Sequence, residues 1–193
     1  MLMKKKIFFV IVAAVLLIAF FEYHRSHQEH WLRFQSDNPM LDFSFEYPAS
    51  WTPFESRGRS ELYDGIQMMG PRDGGKEFSV AYEITVKKSG NQSAQDLLAD
   101  YVKRMERYPQ FKTLKAGRLA EMGTVEYEYI MRLPLRKLNN HDVVMRGKAL
   151  YVTRENRSYR INFFGTAEQF KRYVSIFDRA VKTLRFAEPA KTS

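Results

Sequence analysis

Apolar and polar residues alternate with a period of two along several stretches of this chain, and with a helical period along two others. Phe43, Phe45 and Tyr47 alternate with Ser44 and Glu46, which predicts a half-buried strand ended by Pro48, with Trp51 packed under the following turn. Strands are predicted over 62–69 and 78–87, joined by Gly70-Pro71-Arg72-Asp73-Gly74-Gly75, a connector dense in turn formers. Ser93 then reads as an N-cap, with Asp96 in the first turn, where a carboxylate suits the helix dipole. Leu97, Leu98, Tyr101, Val102 and Met105 give that helix one apolar stripe, and Pro109 stops it.

Strands are predicted next at about 112–122 and 125–133, turning near Gly123-Thr124. In the second of these, Val125, Tyr127, Tyr129 and Met131 share one face, and Glu126, Glu128 and Arg132 the other. After a loop with Pro134, Asn139 and Asn140, strands over 142–153 and 159–164 flank the hairpin turn Arg154-Glu155-Asn156-Arg157. Thr166-Ala167-Glu168-Gln169 is a capping box, and Phe170, Tyr173, Val174, Phe177, Val181 and Leu184 follow it at helical spacing. Hairpin-connected strands with two one-sided helices predict an α+β fold, an antiparallel β-sheet with both helices packed on it. No internal repeat is visible.

The N-terminus follows a different pattern. Lys4, Lys5 and Lys6 precede an unbroken apolar run over 7–21, ended by Glu22. A positive flank before an apolar run orients the segment with its N-terminus in the cytoplasm. The 15-residue run rises about 22 Å as a helix, short of the ~20 residues usual for a span, and Tyr23 and snorkelling lysines recover some length. A cleaved signal peptide is the alternative. Cleavage needs small residues just past the apolar core, and Ala19-Phe20-Phe21-Glu22-Tyr23-His24-Arg25-Ser26 is bulky nearly throughout.

The expected organisation is therefore an uncleaved anchor over 1–23, a polar stalk over 24–39, one exported domain over 40–187 and a flexible tail over 188–193. Residues 22–34 read as helical. His24, His27 and His30 recur every third residue along that helix, and three imidazoles with Glu29 can bind zinc or copper. Their spacing matches no established zinc motif, and an exposed juxtamembrane helix accounts for them equally well.

Composition bounds the chemistry. The chain has 45% hydrophobic and 27% charged residues, ordinary for a globular protein and against disorder. It has no cysteine, which excludes a disulfide framework, a thiolate nucleophile, cysteine-ligated metal and a lipoprotein's acylated cysteine. Outside the anchor region remain 27 basic and 21 acidic side chains, a surplus suited to lipid headgroups or acidic proteins. No dense Lys/Arg run follows Lys6, so nucleic acid is not the expected partner. Arg132, Arg136 and Lys137, and separately Arg154, Arg157 and Arg160, recur near hairpin ends as candidate contacts for an anionic partner, although solubility alone also accounts for them.

Gly70-Pro71-Arg72-Asp73-Gly74-Gly75-Lys76 has the phosphate-loop spacing, but Glu77 stands where Ser or Thr holds magnesium, and a strand follows where a helix is required. There is no G-x-S-x-G elbow, and His141 beside Asp142 points to the opposite side of a strand. Glu126 and Glu128 read as alternating charge on a solvent-facing strand. No catalytic residue and no cofactor is expected.

Phe43-Ser44-Phe45-Glu46-Tyr47-Pro48 and Trp51, then a strand hairpin, a mid-chain helix, a long meander and a closing helix with Phe170, Phe177 and Leu184-Arg185-Phe186, resemble one known family. This is the PsbP-like and DcrB-like α+β sandwich, whose fold photosystem II PsbP shares with a Ran-binding import factor. The resemblance covers nearly all of 40–187 and implies non-catalytic binding or assembly beside a membrane complex. It carries over no site residue. The alternatives are a small-ligand or enzymatic envelope domain whose site sequence does not reveal, and metal sensing through the histidines.

Overall fold

The computed structural model describes residues 30–56, 63–72, 74, 78–88, 92–119, 122–132 and 142–187. The first strands are β1 (Trp31–Gln35), β2 (Phe43–Pro48), β3 (Thr52–Ser56), β4 (Tyr63–Arg72) and β5 (Ser79–Lys88). Helix α1 (Ala94–Met105) leads into β6 (Phe111–Leu119), β7 (Met122–Arg132), β8 (Asp142–Arg154) and β9 (Arg157–Thr166). Helix α2 (Ala167–Thr183) and the two-residue β10 (Arg185–Phe186) close the chain. A seven-stranded sheet runs β3-β4-β5-β9-β8-β7-β6, with every neighbouring pair antiparallel. A smaller sheet, β1-β2-β10, lies with α2 over part of it.

Both helix starts form as their sequences dictate. The Ser93 side chain accepts from the Asp96 amide, and Asp96 returns the bond to the Ser93 amide at 3.1 Å. The Thr166 hydroxyl accepts from the Gln169 amide at 3.3 Å, and Gln169 accepts from the Thr166 amide at 2.9 Å. Helix α1 ends at Met105, four residues before Pro109, because the chain must already turn to enter β6.

Period-two alternation splits the large sheet into two faces. One face carries Ile66, Met68, Tyr82, Ile84, Ile161 and Phe163, buried under α2 and the small sheet, with Phe163 stacked on Phe177 at 5.3 Å. Burying each such side chain stabilises by roughly 1.5–3 kcal/mol. Trp51 is buried as expected and takes the space over Gly70, where a Cβ would sit 2.6 Å from the Trp51 ring. On the opposite face, Val125, Tyr127, Ala149 and Tyr151 lie under Ala94, Leu98 and Tyr101 of α1. The two coverings are staggered: α1 packs on β7 and β8, whereas α2 packs on β2, β5, β8 and β9.

Three local readings are corrected. Residues 31–35 are not the end of a helical stalk but strand β1, in register with β2 from Trp31↔Pro48 to Gln35↔Ser44, so 31–39 belong to the folded unit. Phe34 is the reason, because it reaches the core between Phe43 and Phe45 at 6.1 and 5.1 Å. The turn near Gly123-Thr124 lies instead between Leu119 and Met122, with Gly123 already paired to Tyr151 inside β7. Strand β9 begins at Arg157, leaving a two-residue turn in which Glu155 takes φ 52°. Strands β3 and β10 were not legible as separate elements.

The apolar run over 7–21, Lys4, Lys5, Lys6, His24 and His27 lie outside the described residues. Among the described residues no helix is long and apolar enough to cross a membrane.

Candidate functional site

The staggered coverings leave α1 standing over half a sheet face, with an open groove on either side of it. The larger groove, about 580 Å³, lies between α1 and the uncovered half formed by β3, β4, β5 and β9. Alternate residues of these strands point into it: Gln67 from β4, Glu83, Thr85 and Lys87 from β5, and Ser158 and Arg160 from β9. Leu97, Asp100 and Arg104 of α1 form one wall, and the exposed Phe54 of β3 stands at the far rim. The smaller groove, about 500 Å³, lies beyond α1 and is lined chiefly by Tyr101, Met105, Tyr108, Phe111, Tyr127 and Tyr129, with Asn162 and Phe164. Both volumes fall within the range of small-ligand sites.

Glu83 lines both grooves, and its carboxylate Oε1 accepts from Arg160 Nη2 at 2.7 Å. Burial alone would lower the Arg160 pKa. Glu83, and behind it the hydroxyls of Tyr151, Tyr101 and Tyr127, overcome that and hold it raised. Burial pushes Tyr101, Tyr127, Tyr129 and Tyr151 upward as well. The Tyr127 ring crosses β8 at Gly147, so its hydroxyl reaches β9 and donates to Asn162 Oδ1 at 2.6 Å. Phe111 stacks on Tyr127 at 5.4 Å and Tyr101 leans against it at 6.2 Å, so the inner wall of the smaller groove is a packed aromatic layer.

The sequence-derived candidates do not come together. Arg154, Arg157 and Arg160 share a hairpin but not a face. Arg157 pairs with Asp42 at 2.8 Å and donates to the Pro39 carbonyl at 3.2 Å, and Arg154 lies over the Phe186 ring at 5.0 Å. Arg160, one residue out of phase with Arg157, points through the sheet into the groove. Arg132 ends β7 opposite Asp142, while Arg136, Lys137 and His141 lie outside the described residues. His30 is exposed, and among the described residues no cluster of His, Asp and Glu is placed to hold a metal ion. Gly70-Pro71-Arg72 belongs to β4, which pairs antiparallel with β5, and Asp73, Gly75 and Lys76 lie outside the described residues. Glu126 and Glu128 of β7 stand opposite Lys148 and Arg146 of β8, Glu128 within 4.0 Å of its partner.

Sequence reasoning passed over Glu83, Asn162 and Gln67. The signal was present: each is a polar residue at the alternate positions of a strand whose other face is chiefly apolar, and Asn162 sits between Ile161 and Phe163.

No protein-family profile and no curated protein sequence matches the chain. Solved structures do match. A cyanobacterial PsbP (CyanoP) from Synechocystis aligns over 81% of this chain and 92% of its own, at 15% identity and TM-score 0.51. LpqN of Mycobacterium tuberculosis, described as involved in cell envelope biogenesis, aligns over 86% and 95%, at 11% identity and TM-score 0.54. The Ran-binding protein Mog1p of Saccharomyces cerevisiae aligns over 83% and 97%, at 6% identity and TM-score 0.52. The chain spans about half of a matching Bacteroides thetaiotaomicron structure, 48% of its length. The fold is therefore PsbP-like and Mog1-like, as the resemblance of 43–48, Trp51 and the closing helix implies.

Proposed function

We propose that this chain is a membrane-anchored, exported binding or assembly module that acts beside a membrane protein complex and holds its partner in the larger groove beside α1. The observation that carries this reading is the open groove itself, about 580 Å³ between α1 and the uncovered half of the sheet, with the Glu83–Arg160 ion pair on its floor and the exposed Phe54 at its rim. A cleft of mixed apolar and polar lining is what a binding site requires.

The placement rests on sequence. Lys4, Lys5 and Lys6 hold the N-terminus inside, the run over 7–21 anchors the chain, and the domain stands outside. The fold likeness supports a binding role: it is shared by a protein described as Ran-binding and by one described as involved in envelope biogenesis.

The test is a photo-crosslinking side chain at Phe54 of the full chain, in its native membranes. A single stoichiometric protein adduct, lost on Arg160→Met, supports the reading. Adducts to lipid alone, or none at any position around the groove, overturn it and favour a small ligand, which the cavity volumes also suit.

A further inference from the structure

The strands place one end of the sandwich where the chain enters it. The starts of β1, β3, β6 and β8, the ends of β2, β4, β7 and β9, and the first turn of α2 all meet there. Ala49, in the turn from β2 to β3, donates its amide to the His30 carbonyl at 2.7 Å and fixes that entry. Large apolar side chains gather at the same end: Tyr108 is 58% exposed, Ile130 43%, Leu32 40% and Val144 40%. Such side chains are ordinarily covered. The same end carries the exposed cations Arg107, Lys112 and Lys171 beside the exposed acids Glu106, Asp142 and Glu168. At the opposite end Arg157 is engaged by Asp42, Arg154 by the Phe186 ring and Arg185 by the Lys182 and Leu184 carbonyls, while Lys87 and Lys88 are exposed.

We propose that the entry end rests on an anionic lipid surface, with Tyr108, Ile130, Leu32 and Val144 at the headgroup boundary and Arg107, Lys112 and Lys171 against phosphates. This inference rests on the reading of 7–21 as a membrane anchor. Tether length decides which end can reach. Nine residues separate Phe21 from Trp31, a reach of at most about 35 Å even if fully extended. The 13 residues of β8 carry the far end roughly 40 Å from the entry end. The entry end therefore meets the bilayer, and the larger groove, whose rim includes Gln92, Lys87 and Ser158 toward the far end, stays open to a partner outside.

Because the chain has no cysteine, one introduced thiol reports one position. Full-length Gln110→Cys, at the entry end, and Asn156→Cys, in the β8–β9 turn, are each labelled with a fluorophore in vesicles containing phosphatidylglycerol and a headgroup-depth quencher lipid. The expected result is severalfold stronger quenching at position 110 than at 156. That difference should shrink in pure phosphatidylcholine, and again on combining Arg107→Glu, Lys112→Glu and Lys171→Glu. Equal quenching at both positions, or stronger quenching at 156, in a chain that floats with the vesicles overturns this inference and leaves the anchor reading standing. A chain that does not float with them at all overturns both.

Discussion

Gly147→Ala tests whether the wall of the smaller groove is held as described. Gly147 lies directly opposite Tyr127 in the β7–β8 pairing, and the Tyr127 ring occupies the space a Cβ would need, with Cε2 at 2.5 Å and Cζ and Oη closer still. A methyl group there must push the ring aside. Overpacking costs about 1–3 kcal/mol. Displacing the hydroxyl from Asn162 forfeits about 1 kcal/mol more and leaves a half-buried amide without its partner. Against this, replacing glycine narrows the unfolded ensemble and returns about 0.4–1 kcal/mol. The net expectation is a loss near 2 kcal/mol, read as a lower urea midpoint at unchanged slope. Gly117→Ala is the control, because the nearest atom to its added Cβ is Thr124 Oγ1 at 3.9 Å. It should be neutral or stabilising. If the two variants shift the midpoint equally, the ring does not depend on the glycine and the argument fails.

Other outcomes follow from single contacts. Gln169→Leu should cost about 2–3 kcal/mol, because the Gln169 amide donates to the Pro71 and Phe78 carbonyls at 3.2 and 3.0 Å and its oxygen caps α2; a thermal shift within the error of wild type refutes that bridge. Arg160→Met strands the Glu83 carboxylate between the grooves, and adding Glu83→Gln should restore part of the loss, a coupling of about 1 kcal/mol in a double-mutant cycle. Strict additivity would refute the pairing. Burial and the hydrogen bond to Asp42 push Tyr159 up to about 12 from an ordinary 10.0, so above pH 10 the unfolded state loses this proton first. Stability is then fully present below pH 10 and falls as pH rises toward 12, with Tyr82, Tyr127 and Tyr151 pushed in the same direction by burial. Tyr159→Phe should flatten part of that slope, and an unchanged slope refutes it.

By itself the sequence determined what is local and periodic. Ser93 and Thr166 start their helices through reciprocal bonds that close within four residues, so no distant contact is needed to predict them. Phe43, Phe45 and Tyr47, and the alternation along β7 and β9, mark strands because one buried face imposes a period of two. From these came the α+β sandwich and its PsbP-like order. Tertiary structure decided everything that depends on which segments meet. Residues 22–34 read as a polar helix, yet Phe34 finds the Phe43 and Phe45 rings and draws 31–35 into a sheet. Arg157 and Arg160 are three residues apart, and the pleat sends one to Asp42 and to the Pro39 carbonyl, 118 positions away, and the other to Glu83, 77 positions away. The grooves exist because two helices cover different halves of opposite sheet faces, an offset set by long-range packing that no local pattern encodes.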